Sequence, residues 1–160
     1  MLSLFPGDRV KPDDCIFFQL AKASQRGLKY WTHTVSRLGI TAVQAMILNF
    51  LFEEDRITSQ KLGARSGLDS ATLTGILDRL EAGGFIGRTP NPEDRRSILV
   101  VLSDKGRSTA VEVRTLVAEA NEQFLGGLDS TEVGLLKSIL LKIRSAEAPH
   151  GAARVRMAGG

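Results

Sequence analysis

The chain has 160 residues, 42% of them hydrophobic and 24% charged, with a formal net charge of +3. That length carries one domain with a true core, and that balance excludes a disordered chain. A small positive charge permits a nucleic-acid partner without demanding one. The single cysteine, Cys15, excludes an intrachain disulfide and suits a reducing, cytoplasmic setting. His33 and His150 lie far apart with no further cysteines beside them, so neither a zinc site nor any other metal or cofactor is expected.

Residues 1–12 read as an N-terminal arm, with Pro6, Gly7 and Pro12 as turn residues. The arm has no continuous apolar stretch of the signal-peptide kind, and no segment approaches the length of a membrane span. Asp13 to Arg37 is helical in pattern. Ile16, Leu20 and Ala23 form one stripe and Gly27, Trp31, Val35 and Leu38 another, and Gly39 is a stop signal. Thr41 followed three residues later by Gln44 marks a capping box. The helix it opens, AVQAMILNFLFEE, is apolar on almost every side and is expected to be buried.

Two short helices follow. Thr58 caps the first, with Leu62 as its core residue and Gly67 as its break. Asp69 caps the second, whose core stripe Leu73, Ile76, Leu77 and Leu80 has the spacing i, i+3, i+4, i+7. Gly83-Gly84 ends it. This is the form of a helix-turn-helix. Phe85 to Arg88 and Ile98 to Leu102 then read as strands, joined by the proline-stiffened loop TPNPEDRRS. The expected fold is mainly α with a small β-hairpin wing. Residues 40–102 would form a winged helix-turn-helix lobe, and residues 13–39 and 103–146 a helical dimerisation region. Ser103 caps a long helix to about Leu125. Asp129 and Glu132 open a last helix ending near Ala146, and residues 147–160 are expected to be a disordered tail.

No paired acid and base, nucleophile motif or phosphate-binding loop is present, so catalysis is not expected. The second helix of the motif is the candidate reader. Its face opposite the core stripe carries Ala71, Thr74, Gly75, Asp78 and Arg79, with Ser70 and Thr72 at its N-terminus. Small and hydroxylic side chains let a helix enter the major groove and bond to base edges or phosphates. Alone, the same face reads equally as the polar side of a surface helix. The wing loop decides between them. A guanidinium suits the narrow, electronegative minor groove, and Asp94, two residues before Arg96, has the spacing to hold that guanidinium in a bidentate bond. Arg95 would then point to a phosphate.

The run LDSATLTGILDRLEAGGFIGRTPNPEDRRSILVVLSDKGR, Leu68 to Arg107, resembles the MarR family of bacterial winged-helix transcriptional regulators. The matching motifs are Leu68-Asp69, Thr72-Leu73-Thr74, Leu80-Glu81-Ala82-Gly83, Asp94-Arg95-Arg96 and Leu102-Ser103-Asp104-Lys105-Gly106. The segment Ile40 to Leu48 is similar to the family's buried helix, and the resemblance extends over roughly residues 13–146. It implies a cytoplasmic homodimer that binds a near-palindromic double-stranded DNA operator, most often as a repressor. Ser70, Thr72 and Thr74 would contact the major groove, Arg96 the minor groove with Asp94 as its positioner, and Arg79, Lys61 and Arg95 phosphates. Where Gly75 stands, many members carry a basic residue.

The resemblance also implies a small aromatic effector, phenolic or carboxylic, between the dimer helices and the winged lobe. Phe17, Trp31, His33 and Phe50 are candidates to line its pocket, with plain core packing as the alternative. Some members instead sense peroxides through an N-terminal cysteine, which makes Cys15 a candidate redox site. Anchored on Ile40-Thr41, however, that branch would place its cysteine near Phe17 and its two tyrosine partners at Trp31 and Ala42. Cys15 reads better as a small buried apolar residue. A winged-helix protein-interaction module without DNA binding is the competing function.

Overall fold

A computed structural model describes residues 11–94 and 96–145 of the chain. The expected arm, apart from its last two residues, the expected tail and Arg95 therefore lie outside the described residues. The chain divides into two units, one ending at Phe124 and one beginning at Leu125, and each is described by itself.

In the first unit a 3-10 turn at Pro12–Asp14 leads into helix α1, Ile16–Val35, and a second such turn, Ser36–Leu38, ends it. The chain reverses at Gly39, whose φ of 67° favours glycine. Helix α2, Ala42–Glu53, begins at the expected capping box: the Gln44 amide donates to Thr41 Oγ1 at 3.2 Å, and the Thr41 amide to Gln44 Oε1 at 2.8 Å. Ala45, Ile47, Leu48 and Leu51 on this helix are wholly buried, which is why its sequence shows little polar face.

Strand β1, Ile57–Thr58, comes next, followed by helix α3, Ser59–Ser66, and helix α4, Ser70–Ala82. Strands β2, Ile86–Pro90, and β3, Ile98–Leu102, complete an antiparallel sheet in the order β1-β3-β2. The hairpin was expected and β1 was not. Pro90 pairs with Ile98 at the last position of β2, an edge strand that tolerates a residue without an N–H.

Helix α5, Asp104–Phe124, follows β3 directly. Its residues Ala110, Val113 and Leu116 join Ile47, Leu48, Leu62, Leu77 and Val100 in one core. The stretch of α5 from Ala110 to Leu116 thus packs into the same core as the winged lobe. The start of α5 is fixed tightly. Ser103 Oγ accepts from the Gly106 amide at 2.9 Å and donates to the Gly84 carbonyl at 2.7 Å, while the Ser103 amide donates to the Phe85 carbonyl. A Cβ on Gly106 would stand 1.8 Å from that same Phe85 oxygen, so the Leu-Ser-x-x-Gly pattern has a packing cause.

The second unit holds helix α6, Ser130–Ser145. Asp129 and Glu132 cap it reciprocally: the Glu132 amide donates to Asp129 Oδ1 and the Asp129 amide to Glu132 Oε2, both at 2.9 Å. No residue of α6 is buried, and Leu135, Ile139, Leu141 and Ile143 are all exposed. No single helix among the described residues is long and apolar enough to cross a membrane.

Candidate nucleic-acid interface and helix cavity

The two-helix turn is held by caps and a glycine. Thr58 accepts from the Lys61 amide at 3.2 Å to start α3, Gly67 reverses the chain at φ 71°, and Asp69 starts α4. Leu73, Ile76, Leu77 and Leu80 are all buried, as their spacing predicts. The opposite face is open: Ser70, Ala71, Thr72, Thr74, Asp78 and Arg79 are exposed and Gly75 is half-buried. A Cβ at Gly75 would meet nothing within 4 Å, so packing inside the protein does not require a glycine there.

The hydroxyls on this face are already oriented. Thr72 Oγ1 donates to Asp69 Oδ2 at 2.6 Å, and Thr74 Oγ1 to the Ser70 carbonyl at 2.8 Å. Asp69 Oδ1 also accepts from the Thr72 amide at 2.9 Å. These bonds, the hydroxyl's foremost, hold the Asp69 carboxyl below its ordinary pKa. A carboxylate therefore occupies the positive end of α4. Phosphates would have to be met by side chains instead.

Three cations were expected to meet them. Arg79 is exposed and forms no ion pair among the described residues. Lys61 is paired with the Glu54 carboxylate, which also accepts from Arg65. Arg95 lies outside the described residues.

In the wing, Asp94 and Arg96 do interact, through other atoms than expected. Asp94 Oδ1 accepts from the Arg96 backbone amide at 3.0 Å, and Asp94's carbonyl accepts from the Ser97 amide at 2.9 Å. The two-residue spacing makes an Asx turn, which competes with a side-chain pair for the same carboxylate. Asp94 thus shapes the backbone under Arg96 and leaves the guanidinium without an ion pair among the described residues.

Arg88 was not anticipated. From β2 it reaches across to α4, with Nη2 2.7 Å from Asp78 Oδ1 and Nη1 2.5 Å from Glu81 Oε2. The Asp78 hydrogen bond, the largest influence, raises the Arg88 pKa above its already high ordinary value. The pair of bonds ties the wing's first strand to the reading helix. Asp55, in the turn between α2 and β1, anchors the end of the other strand, accepting from the Leu102 amide at 2.9 Å and from Arg107 at 2.5 Å.

A cavity of about 560 Å³ lies between α1, α2 and α5. From α1 it is lined by Gly27, Tyr30 and Trp31, from α2 by Val43, Met46 and Asn49, and from α5 by Val117, Asn121 and Phe124. Of the four side chains expected around a pocket, Trp31 alone lines this one. Phe17 is 79% exposed, His33 is exposed on α1, and Phe50 sits under the Arg65 guanidinium, 5.1 Å from its ring centroid.

Cys15 is half-exposed just before α1 and caps nothing with its side chain, rather than being buried. The two positions that would carry the peroxide sensors' tyrosines touch each other: Trp31 Nε1 donates to the Ala42 carbonyl at 3.2 Å. Neither can serve a thiolate as a phenol would.

Comparison with known proteins agrees with this geometry. The MarR family model matches residues 40–98. The organic hydroperoxide resistance transcriptional regulator of Bacillus subtilis is 32% identical over 119 residues, which are 72% of this chain and 81% of that protein. The multiple antibiotic resistance protein MarR of Escherichia coli is 33% identical over 110 residues, 68% of this chain and 76% of that protein. A crystal structure of a mutant E. coli MarR with operator DNA superposes with a TM-score of 0.77 at 28% identity, covering 86% of this chain and 99% of that one. With a reading helix, a clamped wing and relatives covered over three quarters of their length, the chain belongs to the MarR family and is a DNA-binding transcriptional regulator, not an enzyme.

Proposed function

We propose that the protein binds a near-palindromic operator as a homodimer and represses transcription until a small ligand enters the helix cavity. The observation that carries the reading is the open face of α4 beside a wing that Arg88 holds to the same helix. Helix and wing then form one body, able to meet the major groove and the adjacent minor groove together. Ser70, Thr72 and Thr74 face the major groove with hydroxyl oxygens that retain accepting capacity. Arg96 enters the minor groove, Arg95 meets the backbone, and Arg79 contacts a phosphate. Lys61, already paired with Glu54, contributes less.

Dimerisation is supported by apolar surface that no part of the described chain covers: Ile16, Phe17, Phe18 and Leu28 on α1, and Leu135, Ile139, Leu141 and Ile143 on α6. A face of that kind on a small protein calls for a partner, and a second copy supplies the two-fold symmetry that a palindrome mirrors. The cavity is walled by α1 and by the core helices α2 and α5, so a ligand wedged there would shift the winged lobe against α1. Two reading helices must stay about one DNA turn apart, and a small shift would release the operator. A cytoplasmic location suits a bacterial regulator that acts on DNA.

The test is to select fragments from the organism's own DNA with the purified protein and titrate the best one. Arg79→Ala should weaken binding more than Lys61→Ala does. Equal losses, or none, would overturn the assignment of phosphate contacts.

A further inference from the structure

The hydrogen bonds at the start of α4 fix a polarity. Between the Thr72 hydroxyl and the Asp69 carboxylate, 2.6 Å apart, only the hydroxyl has a proton to give. The same holds between the Thr74 hydroxyl and the Ser70 carbonyl, 2.8 Å apart. Each threonine has thus committed its one side-chain donor inside the protein. Both residues are exposed, and what their hydroxyls still offer is lone pairs. Asp69 adds to the same polarity. Its carboxylate takes two bonds from Thr72, and an ionised carboxylate has about four accepting positions.

The N-terminal end of the reading helix is therefore rich in acceptors. Further along, the Asp78 and Glu81 carboxylates are held by Arg88. Two side chains on this face still donate: Ser70, whose hydroxyl is unbonded among the described residues, and Arg79. Arg79 stands in the last turn of α4, whereas it is the N-terminal residues of a reading helix that reach base edges.

Base edges in the major groove differ in what they offer. Adenine presents its N6 amino donor beside N7, and cytosine its N4 amino donor. Guanine presents N7 and O6, and thymine O4, all acceptors. A threonine acceptor set against guanine or thymine would lose its water and gain no hydrogen bond. Turning the Thr72 hydroxyl around to donate would break a bond to a carboxylate, a class roughly twice as strong as neutral hydrogen bonds.

We propose that the start of α4 reads exocyclic amino groups in the major groove, adenine N6 or cytosine N4, with the Thr72 and Thr74 oxygens as acceptors, and rejects guanine and thymine at the bases these two residues meet. This rests on α4 being the helix that lies in the major groove. It sets α4 apart from a helix that selects guanine through a bidentate arginine.

The test starts from the tightest fragment that the full chain selects from random duplexes. In both half-sites, each adenine is replaced in turn by purine, which lacks the N6 amino group, and by 7-deazaadenine, which lacks N7. Each cytosine is replaced by 2-pyrimidinone, which lacks the N4 amino group, and each guanine by 7-deazaguanine. Amino deletion at the bases that Thr72 and Thr74 meet should weaken binding about three- to tenfold per half-site, the worth of one hydrogen bond. Removing N7 from the same adenines should leave binding unchanged. Thr72→Val and Thr74→Val, which keep the side-chain shape, should each lose the sensitivity at one of these bases, and Thr72→Ser should keep it. A loss caused by a weakened base pair would instead be the same in every protein. Absence of amino sensitivity in the parent would overturn the proposal, and so would sensitivity that persists in both valine variants. If 7-deaza replacement weakens binding in place of amino deletion, the face donates, and α4 remains the reading helix. If no replacement changes affinity while Arg96→Ala still does, α4 does not meet base edges, and the reading beneath the proposal falls with it.

Discussion

Replacing Gly106 by alanine places a methyl group where the Phe85 carbonyl already stands. The added Cβ would lie 1.8 Å from that oxygen, 2.8 Å from its carbon and 3.2 Å from Leu102 Cδ2. Relief needs a backbone shift of more than an ångström on the scale of ordinary contacts. Both sides resist it. The Phe85 oxygen accepts from the Ser103 amide at 3.0 Å, and the Phe85 amide donates to the Leu80 carbonyl at 2.9 Å. Overpacking of this kind costs about 1–3 kcal/mol, and loss of the Ser103 bond about 1 kcal/mol more. Alanine's helix propensity returns at most about 1 kcal/mol. The net expectation is a loss of about 1–3 kcal/mol. Gly75→Ala is the control, because its Cβ meets nothing within 4 Å and it should gain up to about 1 kcal/mol. Urea unfolding at one fixed protein concentration, followed by Trp31 emission, measures both. A Gly106→Ala protein as stable as its parent would refute the packing argument, as would two variants shifted by equal amounts in the same direction.

Arg88→Ala removes two partly exposed ion pairs, each of which contributes about 0.2–1 kcal/mol. It should therefore leave the melting temperature nearly unchanged while weakening operator binding severalfold, because the wing is no longer held to α4. A parallel loss of stability and affinity, or no loss of affinity, would argue against the clamp. Asp69, whose folded pKa lies below its ordinary 3.8, contributes stability that is full above that value and fades as pH falls through the lower folded pKa. Acid unfolding of the parent and of Asp69→Asn should thus differ by a constant amount above about pH 4 and converge below it. Asp94→Ala should weaken operator binding less than Arg96→Ala does, since Asp94 orders the loop backbone rather than the guanidinium.

The helices were legible because their signals are local. The stripe from Leu73 to Leu80 and the caps at Thr41, Thr58, Asp69 and Asp129 each lie within a few residues of what they control. Strand β1 was not legible. Two residues show no alternation, and Ile57 pairs with Val100, 43 positions away. Arg88 was missed for the same reason, since only the fold of β2 against α4 brings it to Asp78 and Glu81. The wing was half legible: the residues Asp94 and Arg96 were the right pair, while the choice of backbone over guanidinium depends on loop geometry that spacing does not fix. Around the cavity only Trp31 was found. Residues such as Asn49 and Asn121 face a space between helices, and helical periodicity does not distinguish that space from core or solvent.

The central claim is that helix and wing read DNA together, with Arg96 in the minor groove. The most direct test measures the affinity of parent and Arg96→Ala for one selected fragment across a range of salt concentrations. The variant should bind at least tenfold more weakly at fixed salt, a loss of about 1.4 kcal/mol, and its slope of log affinity against log salt should be shallower by about one for each wing. Unchanged affinity together with an unchanged slope would contradict it.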